Sequence, residues 1–301
     1  MGSIRNAPSG RWQARYRDRQ GRLRSKTFAT KGEARRFLER TGTSRQRGDW
    51  VDPRLGRISF SAWATEWERT TVDLRPTTVD LYQYILRSFL LPTFGPVPMG
   101  RIAPLEVRAW LADLAASDVS AASAHRAFRL LRRIMNVAIQ SEVIARSPCT
   151  GVRPPQVPRN EMRFCTPEEV ADLAEVVDPD YRCLVLTAAY TGLRWGELAG
   201  LKRKRVDLLH RALTVTEQLT ELNGDLRFAA PKTDAGRRRV KLSPFLVAQL
   251  QGQLDERAQP GSDGLVFVTK EAEMLRRSNF RRTYWLPAVS RAGLDGLRSM
   301  I

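Results

Sequence analysis

The stretch AAYTGLRWGELAGL (188–201) places one arginine inside an otherwise apolar run. Arg194 follows Gly192, and Glu197 comes three residues later. The surrounding apolar residues have the spacing of a buried face shared by two helices: Ala188, Ala189, Leu193, Leu198 and Leu201. A guanidinium group is always charged, and desolvating it without a partner costs several kcal/mol. The sequence therefore predicts that Arg194 binds an anion.

The chain as a whole is strongly basic. Its 301 residues include 50 Lys and Arg against 32 Asp and Glu, a formal net charge of +18. The 42% of hydrophobic residues is enough for a folded core, and the length suits two or three domains. A basic folded chain favours a polyanionic partner, nucleic acid above all. A soluble protein with a merely basic surface is the alternative.

Cysteine and histidine usage argues against metal chemistry. The three cysteines Cys149, Cys165 and Cys183 are dispersed, and the two histidines His125 and His210 lie far apart. Neither a disulfide framework nor a metal site follows, so no metal and a reducing, cytoplasmic compartment are expected. No apolar run reaches the length of a membrane span, and the N-terminus lacks a signal-peptide pattern, so no membrane association is expected.

Residues 1–50 are the most charged part, with fourteen Lys and Arg against four Asp and Glu. Alternating runs around the turn sequences PSG (8–10) and RQG (19–21) predict a three-stranded sheet. The capping-box spacing of Thr30 and Glu33 predicts a helix that backs this sheet.

The alternation in these strands predicts a basic outward face. Its members are Arg15, Arg17, Arg22, Arg24 and Lys26. Phe28 shares the parity of Lys26, and a bend at the end of the strand is expected to turn it toward the core. A small β-ribbon fits the major groove of DNA, so this face is predicted to bind double-stranded DNA. A solvated charged face is the alternative.

Residues 58 to about 145 have the pattern of a helical bundle that follows a linker, GDWVDPRLG (48–56). Ser61 is the predicted cap of its first helix. The longest helix, with the sequence SAASAHRAFRLLRRIMNVAIQ (120–140), carries a basic face that includes Arg126, Arg129 and Arg133. Such a face suits the DNA backbone.

A proline-rich segment (147–162) precedes a third, mixed region. Helices come first, followed by short strands that are predicted to form hairpins around NGD (223–225) and DAG (234–236). GLVFV (264–268) is a further strand candidate. The predicted fold class is multidomain α+β: a three-stranded sheet plus helix, an all-α bundle, and a mainly helical domain with a small antiparallel sheet.

Two motifs of the third region carry a family resemblance. TGLRWGEL (191–198) resembles the first arginine motif of tyrosine recombinases, the phage integrase family, and PKTDAGRRRVKL (231–242) resembles that family's hairpin with its catalytic lysine. The two motifs together are specific, and the resemblance covers essentially the whole chain. It implies three domains: an arm-type DNA-binding domain (1–52), a helical core-binding domain (57–152) and a catalytic domain (160–301).

The resemblance implies a reaction without metal or nucleotide, in which a tyrosine attacks a DNA phosphodiester and holds the strand as a 3′-phosphotyrosine. Arg194 would stabilise the non-bridging oxygens of the transition state, and Lys232 would protonate the leaving 5′-oxygen. Gly192 would permit close approach of DNA or a neighbouring segment, and Glu197 would hold the turn. A helix arginine reaching solvent and an exposed turn lysine are the alternatives.

The resemblance also implies partners and a location. Double-stranded DNA with attachment-type sites, self-association on DNA and a possible directionality factor are expected. The protein would be bacterial or phage-encoded and associated with the nucleoid.

The chain departs from the family pattern at its end. After AVSRAGLDGLR (288–298) the family continues with His-x-x-Arg and then the nucleophilic tyrosine, whereas this sequence continues SMI (299–301). Tyr284 precedes that point and is expected to be a packing residue. The chain is therefore expected to be truncated, with its nucleophile absent and no activity alone. A non-catalytic DNA-binding remnant of an integrase and, more remotely, an unrelated basic transcription regulator are the alternatives.

Overall fold

The computed structural model describes residues 2–17, 21, 23–46, 55–158, 163–222, 224–231 and 236–297. The chain divides into two compact units, residues 1–159 and 160–301. Each unit contains a hydrophobic core. The predominance of helices with small antiparallel sheets confirms the predicted α+β class.

The first unit begins with a three-stranded antiparallel sheet backed by a helix, as predicted. The elements are β1 (Ser3–Asn6), β2 (Trp12–Arg17), β3 (Leu23–Phe28) and α1 (Lys31–Gln46). At the start of α1, Thr30 Oγ1 accepts a hydrogen bond from the N–H of Glu33 at 3.2 Å, and the Glu33 carboxylate accepts one from the N–H of Thr30 at 3.3 Å. These reciprocal bonds confirm the predicted capping box and mark the start of α1 after β3.

The strand register corrects the predicted basic face. Ala14 pairs with Lys26, and Tyr16 pairs with Arg24. Directly opposed residues of an antiparallel pair point to the same side of the sheet. Ala14 and Tyr16 are buried on the side that α1 covers, so Arg24 and Lys26 also lie on the helix side. The prediction that these two residues share an outward face with Arg15 is wrong.

Aromatic contacts also show that this side of β3 faces α1. Phe28 packs against Phe37 of α1 with ring centroids 5.2 Å apart, and Lys26 Nζ lies 5.1 Å from the Phe37 centroid. The parity of Phe28 is therefore that of the helix side, and no bend is needed. Arg22 lies outside the described residues. The open side of the sheet is formed by Ser3, Arg5, Gln13, Arg15, Arg17, Leu23, Ser25 and Thr27.

Residues 60–140 of the first unit are mainly helical, as predicted. Its helices are α2 (Phe60–Arg69), α3 (Pro76–Ile85), α4 (Leu91–Phe94), α5 (Pro104–Ala116) and α6 (Ala121–Gln140). The cap of α2 is Ser59, whose Oγ accepts from the N–H of Ala62 at 3.2 Å, so the prediction of Ser61 is wrong. Phe60, the first residue of the helix, is completely buried, and its N–H donates to the carbonyl of Val97 at 2.9 Å, which fixes the chain where the helix begins.

The second unit combines short helices with two small sheets. Its helices are α7 (Pro167–Val176), α8 (Arg182–Thr191), α9 (Trp195–Ala199), α10 (Pro244–Glu256), α11 (Arg277–Phe280) and α12 (Leu286–Arg291). Its strands are β4 (Val206–Asp207), β5 (Ala212–Val215), β6 (Gln218–Leu222), β7 (Asp225–Ala229) and β8 (Arg238–Lys241).

Strand pairing in this unit confirms one predicted hairpin and corrects the other. Strands β6 and β7 form the hairpin around NGD. Strand β8 pairs with β5 instead of β7, in a sheet of order β4-β5-β8. Since β7 and β8 belong to different sheets, the prediction of a hairpin around DAG is wrong. The GLVFV segment (264–268) contributes one isolated bridge, from Leu265 to Lys202, rather than a strand.

Candidate functional site

A sharp corner between α8 and α9 carries the arginine motif. Gly192 ends α8 with φ +63°, and its N–H donates to the carbonyl of Ala188 at 3.0 Å. This left-handed conformation favours glycine, which has no Cβ to clash. The next residue, Leu193, is buried with 1% exposure. The corner therefore anchors the chain immediately before Arg194.

Helix α9 rests closely on strand β6. A Cβ added at Gly196 would lie 2.5 Å from the carbonyl oxygen of Leu219. The glycine thus allows the helix to approach the strand backbone, and Leu198 on the other side of α9 is completely buried. This packing holds the first turn of α9, from which Arg194 projects, against the domain core.

Arg194 lies at the N-cap position of α9 with its side chain 75% exposed. The expectation of a guanidinium next to the core is therefore wrong in one respect, since the backbone of Arg194 is anchored but its charge faces solvent. Its N–H donates to Glu197 Oε2 at 2.9 Å, and its Nη1 donates to Glu197 Oε1 at 3.1 Å. The guanidinium is both oriented and open to an anion.

Glu197 is the buried charge of this site, with a side chain only 1% exposed. Arg238 on β8 binds it in a bidentate manner, Nη1 to Oε1 at 3.0 Å and Nη2 to Oε2 at 2.8 Å. Burial by itself raises the pKa of Glu197, but the hydrogen bonds from Arg238 and from the N–H of Arg194 outweigh it and leave the pKa lowered. The carboxylate therefore stays ionised and ties α9 to β8.

The sequence motifs did not single out Arg238. A usable signal was its parity with Val240, which is partly buried against the core, and with the buried Leu242 just after the strand. In the register, Arg238 faces the buried Val215 of β5. A largely buried guanidinium needs hydrogen-bond acceptors, and the Glu197 carboxylate supplies them here.

Lys232 is the predicted acid, and Tyr284 is a predicted packing residue. Lys232 lies outside the described residues. Tyr284 is half-buried, with its ring 4.4 Å from that of Tyr181. Burial and a hydrogen bond with Tyr284 raise the pKa of Tyr181. Tyr284 is thus part of the aromatic packing of this unit, and its exclusion as the nucleophile stays a prediction.

Helix α6 presents the second predicted basic surface. Arg126, Arg129 and Arg133 are exposed on it, and Asn136 continues the same row one turn further. Arg133 Nη1 donates to the hydroxyl of Tyr82 at 3.2 Å. The opposite side of the helix is buried in the core of the bundle, so the arginines form one outward stripe.

In the described part of the chain, no cluster of three or more His, Cys, Asp or Glu residues is arranged to hold a metal ion. Among the same residues, no helix combines the length and apolar character needed to cross a bilayer.

Three family models match the chain in order. They are the phage integrase N-terminal domain (residues 1–47), the phage integrase N-terminal SAM-like domain (59–115) and the phage integrase family (163–299). The solved structures that resemble the chain include the Tn1549 transposon integrase in complex with a circular intermediate DNA. The TM-score is 0.68 and the identity 17%, and the match covers 80% of this chain and 81% of that one. A lambda integrase dimer bound to a COC′ core site matches with a TM-score of 0.60 and 17% identity over 97% of this chain and 81% of that one. The fold is thus that of the tyrosine-type site-specific recombinases.

Comparison with relatives of similar sequence shows to which family within this class the chain belongs. The prophage phiRv2 integrase of Mycobacterium tuberculosis is 30% identical over 275 residues, which span 89% of this chain and 72% of the relative. The integrase of Mycobacterium phage D29 is 27% identical, with 94% of this chain and 78% of the relative covered. The chain belongs to the phage integrase family, as its two motifs predicted.

Proposed function

We propose that this integrase breaks and rejoins double-stranded DNA at attachment-type sites through a 3′-phosphotyrosine, with Arg194 as a donor to the non-bridging phosphate oxygens. The observation that carries the proposal is the exposed guanidinium of Arg194 held by the buried Glu197. A donor fixed before the reaction needs no reorganisation as negative charge develops on phosphorus, which is the condition for efficient electrostatic stabilisation.

Glu197 and Arg238 act on Arg194 without touching the phosphate. The Arg238–Glu197 pair leaves Glu197 oxygens to accept both the N–H and the Nη1 of Arg194. This chain of charge-assisted bonds fixes where the guanidinium can point. Lys232 is proposed as the acid for the leaving 5′-oxygen, on the family motif alone. The packing of Tyr284 against Tyr181 supports a nucleophile other than Tyr284.

DNA binding is proposed for two surfaces. Arg15 and Arg17 on the open side of the N-terminal sheet, together with Arg5, would enter a groove, and the α6 stripe of Arg126, Arg129 and Arg133 would follow the backbone.

The proposed domains are an arm-type domain (1–52), a core-binding domain (57–152) and a catalytic domain (160–301). The structural relatives include a lambda integrase tetramer bound to a Holliday junction, which supports self-association on DNA. A directionality factor and a cytoplasmic, nucleoid-associated location complete the proposal.

The experiment is a recombination assay in cells that uses the natural coding region of the locus and a plasmid carrying its attachment site. Arg194→Ala is expected to lower the recombination rate about 10²- to 10³-fold, the usual loss for one preorganised donor. Arg182→Ala, an exposed arginine at the other end of α8, is the matched control and is expected to recombine normally. Unchanged recombination by Arg194→Ala would refute the catalytic role. Specific DNA binding without recombination by any variant would favour the DNA-binding remnant.

A further inference from the structure

The open side of the N-terminal sheet carries positive charge and no carboxylate among the residues of its strands. Arg5, Arg15 and Arg17 supply the charge. A surface with these cations alone would hold the phosphates of any DNA sequence, because phosphate contacts carry no base information. Sequence preference requires a side chain that can present donors and acceptors to a base edge.

Gln13 occupies the middle of this surface. It lies on the central strand β2, opposite Arg5 of β1 and Thr27 of β3. Its side chain is half-buried, with Nε2 donating to Ser25 Oγ at 3.1 Å. This bond limits the rotation of the amide, so its remaining groups are presented in a defined direction.

The hydrogen bonds left over on Gln13 match one base. The amide has two N–H donors and one carbonyl acceptor, and Ser25 uses one donor. One N–H and Oε1 remain, which is the pair that adenine complements with its N7 acceptor and N6 donor in the major groove. Guanine offers two acceptors at that edge, which would leave Oε1 without a donor.

Neighbouring side chains are less suited to this task. Arg17 Nη1 donates to the carbonyl of Gly21 at 2.9 Å, which ties it to the end of the sheet. Thr27 is short and lies on the outer strand β3. Ser25 already accepts a hydrogen bond from Gln13, so the centre of the surface presents one oriented amide, with Arg5 and Arg15 on the same side of the sheet.

We propose that Gln13 is a specificity-determining residue that selects adenine at one position of the DNA site bound by the N-terminal sheet. The proposal rests on the proposed DNA-binding role of that sheet. Arg5 and Arg15 supply affinity, and Gln13 supplies the base preference. Ser25 acts as a positioning residue through its bond to the amide.

The test is selection of duplexes from a randomised pool with the 301-residue chain, followed by binding measurements on single-base variants of the enriched site. The wild type is expected to require adenine at one position, with about a 5- to 150-fold loss of affinity for other bases. Gln13→Glu is expected to prefer cytosine there, since a carboxylate accepts from cytosine N4. Ser25→Ala should weaken the preference at the same position while the salt dependence of binding stays unchanged.

Thr27→Glu is the matched control because it places the same charge on the residue opposite Gln13. It is expected to weaken binding to all sequences and to keep the selected bases. If Gln13→Glu selects the same bases as the wild type at every position, the proposal for Gln13 is overturned, while a loss of the enriched site in Arg15→Ala would still support DNA binding by the sheet. If Arg15→Ala and Thr27→Glu bind that site as the wild type does, the sheet itself is not the DNA-binding surface.

Discussion

The charged residues around Arg194 differ in burial and therefore in role. Arg194 is exposed and able to meet an anion, whereas Glu197 is buried and Arg238 is 29% exposed. A buried ion pair contributes little net stability compared with an apolar pair, but breaking it leaves an uncompensated charge. The Arg238–Glu197 pair is therefore sensitive to the loss of either partner.

Arg238→Ala is expected to lower the free energy of unfolding by about 3 kcal/mol, since it leaves Glu197 buried with only Arg194 as a partner. The neighbouring Arg239 is 59% exposed and pairs with Asp207 at 3.4 Å, so Arg239→Ala should cost less than about 1 kcal/mol. Urea unfolding of both variants measures the difference. Equal losses would contradict the assigned role of Arg238.

The lowered pKa of Glu197 also predicts a pH dependence. A carboxylate whose folded pKa lies below its unfolded value, about 4.3, stabilises the fold fully above that value and loses the contribution as the pH falls through the folded pKa. The stability of the wild type should therefore fall more steeply than that of Glu197→Gln below about pH 4.3. Urea unfolding at a series of pH values compares the two slopes. Parallel curves would show that Glu197 does not titrate as inferred.

At the scale of secondary-structure elements, the direction of each face depends on how the element pairs. Helix α6 has a face that is visible in its own sequence, because buried and exposed residues alternate with the helical period. Strand β3 has two faces of mixed character, and its pairing with β2 assigned Lys26 to the helix side. The single-strand alternation did not carry that information.

Removal of the α6 stripe is expected to reduce the electrostatic part of DNA binding. The triple change Arg126→Ala, Arg129→Ala and Arg133→Ala should lower the slope of log K against log salt by about one for each lost phosphate contact. A triple change of the same arginines to lysine keeps the charge and should keep the slope. Fluorescence anisotropy titrations at several salt concentrations provide the measurement. An unaltered slope in the alanine variant would place the phosphate contacts elsewhere.

At the scale of the whole molecule, the net charge of +18 and the two basic surfaces predict two kinds of DNA site. In footprints with the 301-residue chain, Arg5→Ala combined with Arg15→Ala should erase one set of protected sequences. The alanine triple of α6 should erase another set and leave the first. If both variants weaken all protected sequences equally, one shared site would replace the two-site hypothesis.

Local patterns in the sequence determined the capping box of Thr30 and Glu33, the helical middle region, the NGD hairpin and the family. These features depend on residues close in the chain or on contiguous motifs. Composition pointed to a polyanionic partner, and the arginine motif identified Arg194 and Glu197 as candidates through their spacing in one short segment.

The tertiary structure alone decided which charges meet and which faces open to solvent. Arg238 and Glu197 lie 41 residues apart in the chain, and their contact exists because β8 pairs with β5 while α9 rests on β6. The same holds for Arg24 and Lys26, which the register with β2 turned toward α1. Strand alternation repeats every two residues, so it defines two faces without saying which one is buried. Pairing between distant segments makes that choice, and here it placed an ionised glutamate in the core and left the arginine it orients in solvent.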